Sequence, residues 1–413
     1  MEISNCRICK GCNIVDITNL GNQVLTSRFP IFGDFSTPKI DVILSICLDC
    51  YLVQLRKSAN PSDMYENEYG YRSGLNNSMR NHLKSYYEEI CNLVNLNPDD
   101  LILDIGSNDA TMLGFFPDNL TRIGCDPTGI QFREHYTNNI QLIPTYFTLE
   151  NFNKFFPSKR CKVISTVAMF YDLPDPVQFS RDIYSILEDD GIWTCEQSYV
   201  MTMLKQNSFD TICHEHLMYY SLYNIKEIAE RSGFKLINVS LNKCNGGSFR
   251  VYLCKKSCNI YQCNHPLIEQ MLLEEDNYGL KSIETFKLFM KSCDYEINNL
   301  KELIKSIIAD KEEVWIYGAS TKGNCLLQYA NITPDLAKYA VERNPNKIGK
   351  MTSTGIEIIG EDTMRKNPPK YLLVLPWHFR DEIVSREKEY IQNGGNLIFP
   401  LPHLEIYNSS TKL

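Results

Sequence analysis

His214, Glu215 and His216 stand side by side in "NSFDTICHEHLMYYSL" (residues 207–222), with Tyr219, Tyr220 and Ser221 close behind. Residues of these types suit two kinds of chemistry. A histidine that titrates near neutrality can take or give a proton, and a neighbouring carboxylate can orient or strengthen it. Alternatively, imidazoles two positions apart face the same way on a strand and could share a metal ion, although no third and fourth ligands stand at a convincing spacing. A third reading is a polar loop whose histidines satisfy backbone groups. The stretch by itself leaves all three open.

The other chemically expressive residues are cysteines. Cys6 and Cys9 form C-x-x-C in "CRICKGC", and Cys47 and Cys50 form a second pair in "SICLDCYLVQL". A two-residue spacer lets both sulfurs of a pair face one ion while backbone amides soften their charge, so two pairs make a tetrahedral thiolate site for zinc. Cys12 is a spare that could replace Cys6 as the partner of Cys9. A site with four sulfurs has no open position, so the expected metal is structural.

These residues need elements to position them. A helical stretch, "NHLKSYYEEICNLVNL", precedes "DDLILDIGSNDATMLGFF", where an apolar run (101–105) ends at Gly106 and then meets a helix-like pattern. That is strand, tight turn, helix, the place in a doubly wound sheet where a nucleotide-like cofactor sits. About twenty residues on, "TRIGCDPTG" gives a second strand ending in Asp126, where an acid can accept hydrogen bonds from ribose hydroxyls. Further strands follow at "KVISTVAMF" and "GIWTCEQSY". In "NKCNGGSFRVYL" the paired glycines mark a hairpin turn or bulge. Apolar residues at helical spacing between 266 and 308 indicate long connecting helices. The strand, glycine turn, helix plan then repeats in "EEVWIYGASTKGNCLLQYA", with later strands at "AKYAVERN", "YLLVLPWHF" and "GGNLIFPLP". "GASTKG" fails the P-loop spacing, yet Gly318, Ser320 and Lys322 fall at a helix N-terminus, where amides and an ammonium can meet a diphosphate. His378 reads as a capping or packing residue more readily than as a sugar contact.

"LILDIGSNDATML", "CDPTG", "MFYDLPDP", "EQSY", "HEHLMYYS", "NGGSFR" and "GASTKGNCLLQY", with the amino-terminal cysteine pairs, resemble the S-adenosylmethionine-dependent sugar C-methyltransferases, which act on nucleotide-linked 4-keto-deoxysugars. The resemblance runs over essentially the whole chain in order. It implies an α/β protein with a small zinc-binding domain (1–60), a Rossmann-like class I methyltransferase domain (61–258), a helical connector (259–308) and a second Rossmann-like domain that holds the nucleotide sugar (309–413). It implies S-adenosylmethionine held by Asp104, Gly106, Asn108, Asp126 and Met169, and structural zinc on Cys6, Cys9, Cys47 and Cys50. Deprotonation beside the ketone falls to His216 with Glu215 as its partner. His214 and Tyr219 are candidates for bonding the oxyanion or sugar hydroxyls. Tyr69 and Tyr71, in a tyrosine-rich segment that also contains Tyr65, together with Asn245 and Lys322, complete the expected substrate contacts. Two positions depart from the pattern: Ala110 stands where a further glycine is usual, and Cys213 where the pattern has tyrosine, so no phenol role carries over. Methyl transfer to oxygen or nitrogen, and a zinc-stabilised binding protein with a degenerate core, are the alternatives.

Composition sets the outer bounds. The 413 residues, 43% hydrophobic and 22% charged, suit two or three packed domains. A net charge of −8 without a basic stripe argues against nucleic acid. No run reaches transmembrane length and the first residues lack a secretory pattern. The sixteen cysteines, mostly scattered singly in apolar stretches, suit free thiols in a reducing cytoplasm. A monomer or weak homodimer is expected.

Overall fold

The computed structural model describes residues 2–60 and 71–411; Tyr65 and Tyr69 lie outside the described residues. Three sheets organise the chain. The first joins β1 (Ile14–Val24), β2 (Lys39–Cys47) and β3 (Val53–Leu55) in antiparallel order and is completed by β9 (Met218–Tyr219), which comes from far along the chain.

The second sheet has seven strands in the order β10-β11-β8-β7-β4-β5-β6. They are β4 (Leu101–Ile105), β5 (Thr121–Cys125), β6 (Gln141–Ile143), β7 (Cys161–Val167), β8 (Leu187–Ser198), β10 (Phe234–Asn242) and β11 (Ser248–Lys255). β4, β5, β6, β7 and β8 run parallel, and β11 and β10 close one edge antiparallel. Parallel strands covered on both faces read as continuous apolar runs, and every residue of β4 is buried. The helix α1 (Asn77–Leu93) buries Leu83, Tyr86 and Ile90 at helical spacing.

The helix expected after Gly106 does not form. Only a 3-10 turn appears, at Leu113–Phe115. Gly106, Asn108 and Ala110 take positive φ (78°, 48° and 58°), conformations that no right-handed helix accommodates, and Pro117 limits what remains.

Two helices, α2 (His265–Tyr278) and α3 (Ile283–Ala309), lead to the third sheet, of order β14-β13-β12-β15-β16-β17. Its strands are β12 (Val314–Tyr317), β13 (Ala340–Glu342), β14 (Ile358–Gly360), β15 (Tyr371–Val374), β16 (Asn396–Phe399) and the antiparallel edge strand β17 (Glu405–Tyr407). The strand order reverses direction between β12 and β15, which makes a switch-point crevice at their carboxyl ends. The helix α4 (Thr321–Tyr329) follows β12, capped by Ser320, whose hydroxyl accepts from the Gly323 amide. Among the described residues no helix is long and apolar enough to cross a membrane.

Candidate active site

The four expected zinc ligands come together. The sulfurs of Cys6, Cys9, Cys47 and Cys50 lie within 4.8 Å of one another, with Cys6 to Cys50 at 3.4 Å and Cys9 to Cys47 at 3.6 Å. Zinc–sulfur bonds of about 2.3 Å in a tetrahedron put sulfurs roughly 3.8 Å apart, so the cluster fits the ion. The Gly11 amide reaches Cys9 Sγ at 3.4 Å, and a Cβ at Gly11 would strike the Asp49 carboxylate. Burial pushes the Cys47 thiol up to about 12, a burden that a cation among the sulfurs relieves. Cys12 is exposed and outside the group.

The turn after β4 brings the expected cofactor residues into one place. Asp104 is buried and accepts from Ser165 Oγ at 2.6 Å, and burial pushes its carboxyl up to about 7. Gly106 is needed for more than its φ of 78°: a Cβ there would meet Met169 Cγ at 2.9 Å, so Met169 packs directly across the turn. The Asn108 amide donates to Asp126 Oδ2 at 2.8 Å. Asp126 Oδ1 already accepts from the Thr128 amide and hydroxyl, which leaves Oδ2 the freer oxygen for a ribose. Ala110 keeps a left-handed φ of 58°, so the backbone follows the path a glycine would take, at a cost of roughly 1–2 kcal/mol. The turn therefore retains a cradle that fits an adenosyl cofactor. The Asn108 side chain accepts from the Ser73 amide and donates to the Tyr71 carbonyl, and Asp109 accepts from Arg72. These ties draw the Tyr71 segment onto the turn. Arg72 and Asp109 had no motif to mark them.

The His-Glu-His stretch separates into three environments. His216 Nδ1 lies 2.9 Å from the Thr211 carbonyl oxygen. A carbonyl only accepts, so the ring proton sits on Nδ1 and Nε2 is the basic nitrogen. The ring lies 4.3 Å from that of Tyr171, and both line a small crevice with Ser198, Tyr199, Met218 and Tyr219. The Tyr219 hydroxyl is buried with no hydrogen-bond partner. Glu215 turns toward the first domain, where Oε2 accepts from Thr26 Oγ1 at 2.8 Å. Its burial works against the charge, but the Ser27 and Thr26 hydroxyls hold the carboxyl below its usual range. His214 Nε2 donates to the Ile40 carbonyl at 3.1 Å, again on the first domain. The two histidines thus face different partners, and among the described residues neither belongs to a group able to hold a metal. Cys213 is buried and burial pushes its thiol well up; burial also opposes the charge on His216, but Cys213 beside it pushes that imidazole up.

The third sheet closes the other side. Lys322 Nζ donates to the Asn245 carbonyl at 2.7 Å, which joins two of the expected substrate contacts. Asn245 has a φ of 53° in the turn between β10 and β11. Trp377 Nε1 donates to Asp210 Oδ2 at 2.8 Å, while Asp210 Oδ1 is buried without a partner. His378 lies beside this pair; burial, aided by Lys322, pushes its imidazole down to about 3. Thr26 and Asp210 carried no sequence signal, because their partners are remote in the chain.

Three family models match the chain in series. A zinc binding domain covers residues 6–65, a methyltransferase domain 79–239, and a C-methyltransferase C-terminal domain 243–402. The C-methyltransferase NovU of Streptomyces niveus is 26% identical over 420 residues, spanning 100% of this chain and 98% of its own. Among solved structures, a complex of the Haloferax volcanii Trm112 methyltransferase activator with a methyltransferase is 12% identical with a TM-score of 0.35, over 43% of this chain and 94% of that one. An S-adenosylmethionine-dependent methyltransferase from Clostridium acetobutylicum is 9% identical with a TM-score of 0.34, over 43% and 92%.

Proposed function

We propose that this chain, an S-adenosylmethionine-dependent C-methyltransferase with an amino-terminal zinc-binding domain, uses His216 to deprotonate a nucleotide-linked 4-keto-deoxysugar beside its ketone, so that the methyl group is transferred to that carbon. One observation carries the proposal: Nδ1 of His216 is committed to the Thr211 carbonyl, so Nε2 is the basic atom of a ring lining the crevice with Tyr171 and Tyr219.

The C–H beside a ketone is weakly acidic, and its removal builds negative charge on the carbonyl oxygen. His216 Nε2 takes the proton. The unpartnered Tyr219 hydroxyl donates to the developing oxyanion, an interaction worth most in a water-poor site. Glu215 acts on His216 as a neighbouring charge and through the backbone it anchors at Thr26, and His214 anchors the same backbone at Ile40. Both are positioning residues. S-adenosylmethionine, when bound, supplies an electrophilic methyl group. Gly106, Asn108, Asp126 and Met169, with buried Asp104 behind them, would hold it, and Tyr71 would border it. Lys322 and the Asn245 turn would take the diphosphate of the sugar nucleotide.

The relationship to NovU, a C-methyltransferase by name, supports carbon as the acceptor. A panel of nucleotide 4-ketosugars incubated with S-adenosylmethionine, with product connectivity read by NMR, tests this. A new C–CH3 next to the former ketone supports it, and methylation only on oxygen or nitrogen overturns it.

A further inference from the structure

Away from the His216 crevice, His82 of α1, Glu196 near the end of β8 and Cys244 at the start of the turn after β10 converge. A ring nitrogen, a carboxylate oxygen and the sulfur lie within 4.8 Å of one another. His82 Nε2 is 2.5 Å from Glu196 Oε1. Glu196 Oε2 accepts from Arg250 Nε at 2.7 Å and from Asn242 Nδ2 at 3.0 Å. Arg250 Nη2 lies 2.6 Å from the same oxygen. The guanidinium thus supplies the positive charge that a metal ion would otherwise bring to this carboxylate. Arg250 also pairs with Glu89 at 2.7 Å and lies over the Tyr86 ring, and the Tyr71 phenol is near enough to feel Cys244.

The three groups are ordered as a relay: a buried, neutralised carboxylate, an imidazole fixed by it, and a sulfur. Although burial opposes the charge on His82, Cys244 and Glu196 push the imidazole up to about 10. The ring therefore carries a proton at neutral pH and places a positive charge within 4.8 Å of the Cys244 sulfur, where it stabilises the charge that develops as the sulfur attacks. Cys244 is only half-buried, unlike Cys125, Cys161, Cys195, Cys213 and Cys254. Asn245, Gly246 and Gly247 follow it with φ of 53°, 89° and 118°, so the sulfur is presented on a left-handed turn that the strands cannot absorb.

We propose that Cys244 is a covalent modification site for low-molecular-weight disulfides and soft carbon electrophiles, and that a mixed disulfide there reversibly arrests methyl transfer. In the exchange, Cys244 sulfur bonds to one sulfur of the small disulfide and the S–S bond breaks. The other sulfur leaves as a thiol with the proton that Cys244 loses, so the exchange releases no net proton. The small disulfide is the oxidant, and no other co-reactant is needed. Arrest follows from position. The next residue, Asn245, accepts from Lys322 across the boundary between the second and third sheets, so an adduct on Cys244 separates groups proposed to grip the substrate. Only the arrest rests on the proposed function; the reactivity does not.

The test uses the full-length, zinc-loaded chain and sub-saturating iodoacetamide at pH 7, with the rate at each cysteine read by mass spectrometry. Cys244 is expected to alkylate about tenfold faster than exposed Cys12, and His82→Gln to bring it down to the Cys12 rate. Reaction no faster than at Cys12, or a His82→Gln rate equal to wild type, overturns the site. In a second arm, glutathione disulfide should depress methyl transfer in the wild type, dithiothreitol should restore it, and Cys244→Ser should keep its own untreated rate. Equal depression in Cys244→Ser overturns the arrest while leaving the reactivity result to stand on its own arm.

Discussion

Val53, three residues past Cys50, pairs with Tyr219, three residues past His216, across the antiparallel ladder of β3 and β9. The segment leaving the proposed base is therefore the edge strand of the sheet that the cysteine cluster ties together. Asn224 adds a second tie, donating to the Cys50 carbonyl at 3.0 Å. The zinc site and the His216 crevice are mechanically one unit.

Removing zinc should then impair chemistry as well as stability. Cys47→Ser, or treatment with a strong chelator, is expected to release one zinc per chain and lower kcat at least about tenfold, because a structural metal's binding energy is folding energy. Metal content and single-turnover rates on the same samples check this, and full activity in zinc-free, folded protein would contradict it.

Tyr219→Phe should divide stability from activity. Its hydroxyl is buried without a partner, so deleting it costs no hydrogen bond and should leave stability unchanged or raise it by up to about 1 kcal/mol. If that hydroxyl serves the oxyanion, kcat falls about 10- to 100-fold. Chemical denaturation and steady-state kinetics on the one variant read both.

Asp104 gives a pH signature. Its carboxyl titrates at about 7 in the folded chain against 3.8 for an ordinary aspartate, so between those values the folded state holds a proton that the unfolded state has lost. That contribution is complete below pH 3.8 and fades as pH rises through 7, and it is worth on the order of 4 kcal/mol at most. Cofactor-free Asp104→Asn should gain stability relative to wild type from pH 5 to pH 8. Urea unfolding at both values checks the sign.

Lys322→Met should act on substrate affinity. With the ammonium that meets the Asn245 turn removed, KM for the sugar nucleotide should rise about tenfold, with kcat within about twofold and S-adenosylmethionine affinity unchanged. Calorimetry for the cofactor and initial rates for the sugar separate the two.

Much of this architecture is legible in sequence for a physical reason. Strands buried on both faces must be apolar runs, and Leu101–Ile105 ending at Gly106 reads as one without ambiguity. The paired cysteine spacing likewise encodes a local geometry, and the four sulfurs meet as expected. Long-range partners are silent: nothing near Glu215 or His214 names Thr26 or Ile40, because the contacts exist only once β9 has joined the first sheet. The absent helix after Gly106 was hidden for another reason. Asn108 and Ala110 do not announce positive φ as glycine does, so the apolar spacing suggests a helix where the backbone makes a cradle. Nothing in the sequence marks Cys244, because its partners lie on α1 and β8 and no spacing links them.

The most direct measurement is solvent deuterium exchange into a nucleotide 4-keto-deoxysugar in the absence of S-adenosylmethionine, comparing wild type with a His216→Asn variant that retains its zinc and its cofactor affinity. Wild type should exchange the hydrogen beside the ketone, and His216→Asn should slow that exchange by about a hundredfold or more. Exchange at the wild-type rate in the variant would contradict the assignment of the base and, with it, the proposed route to carbon methylation.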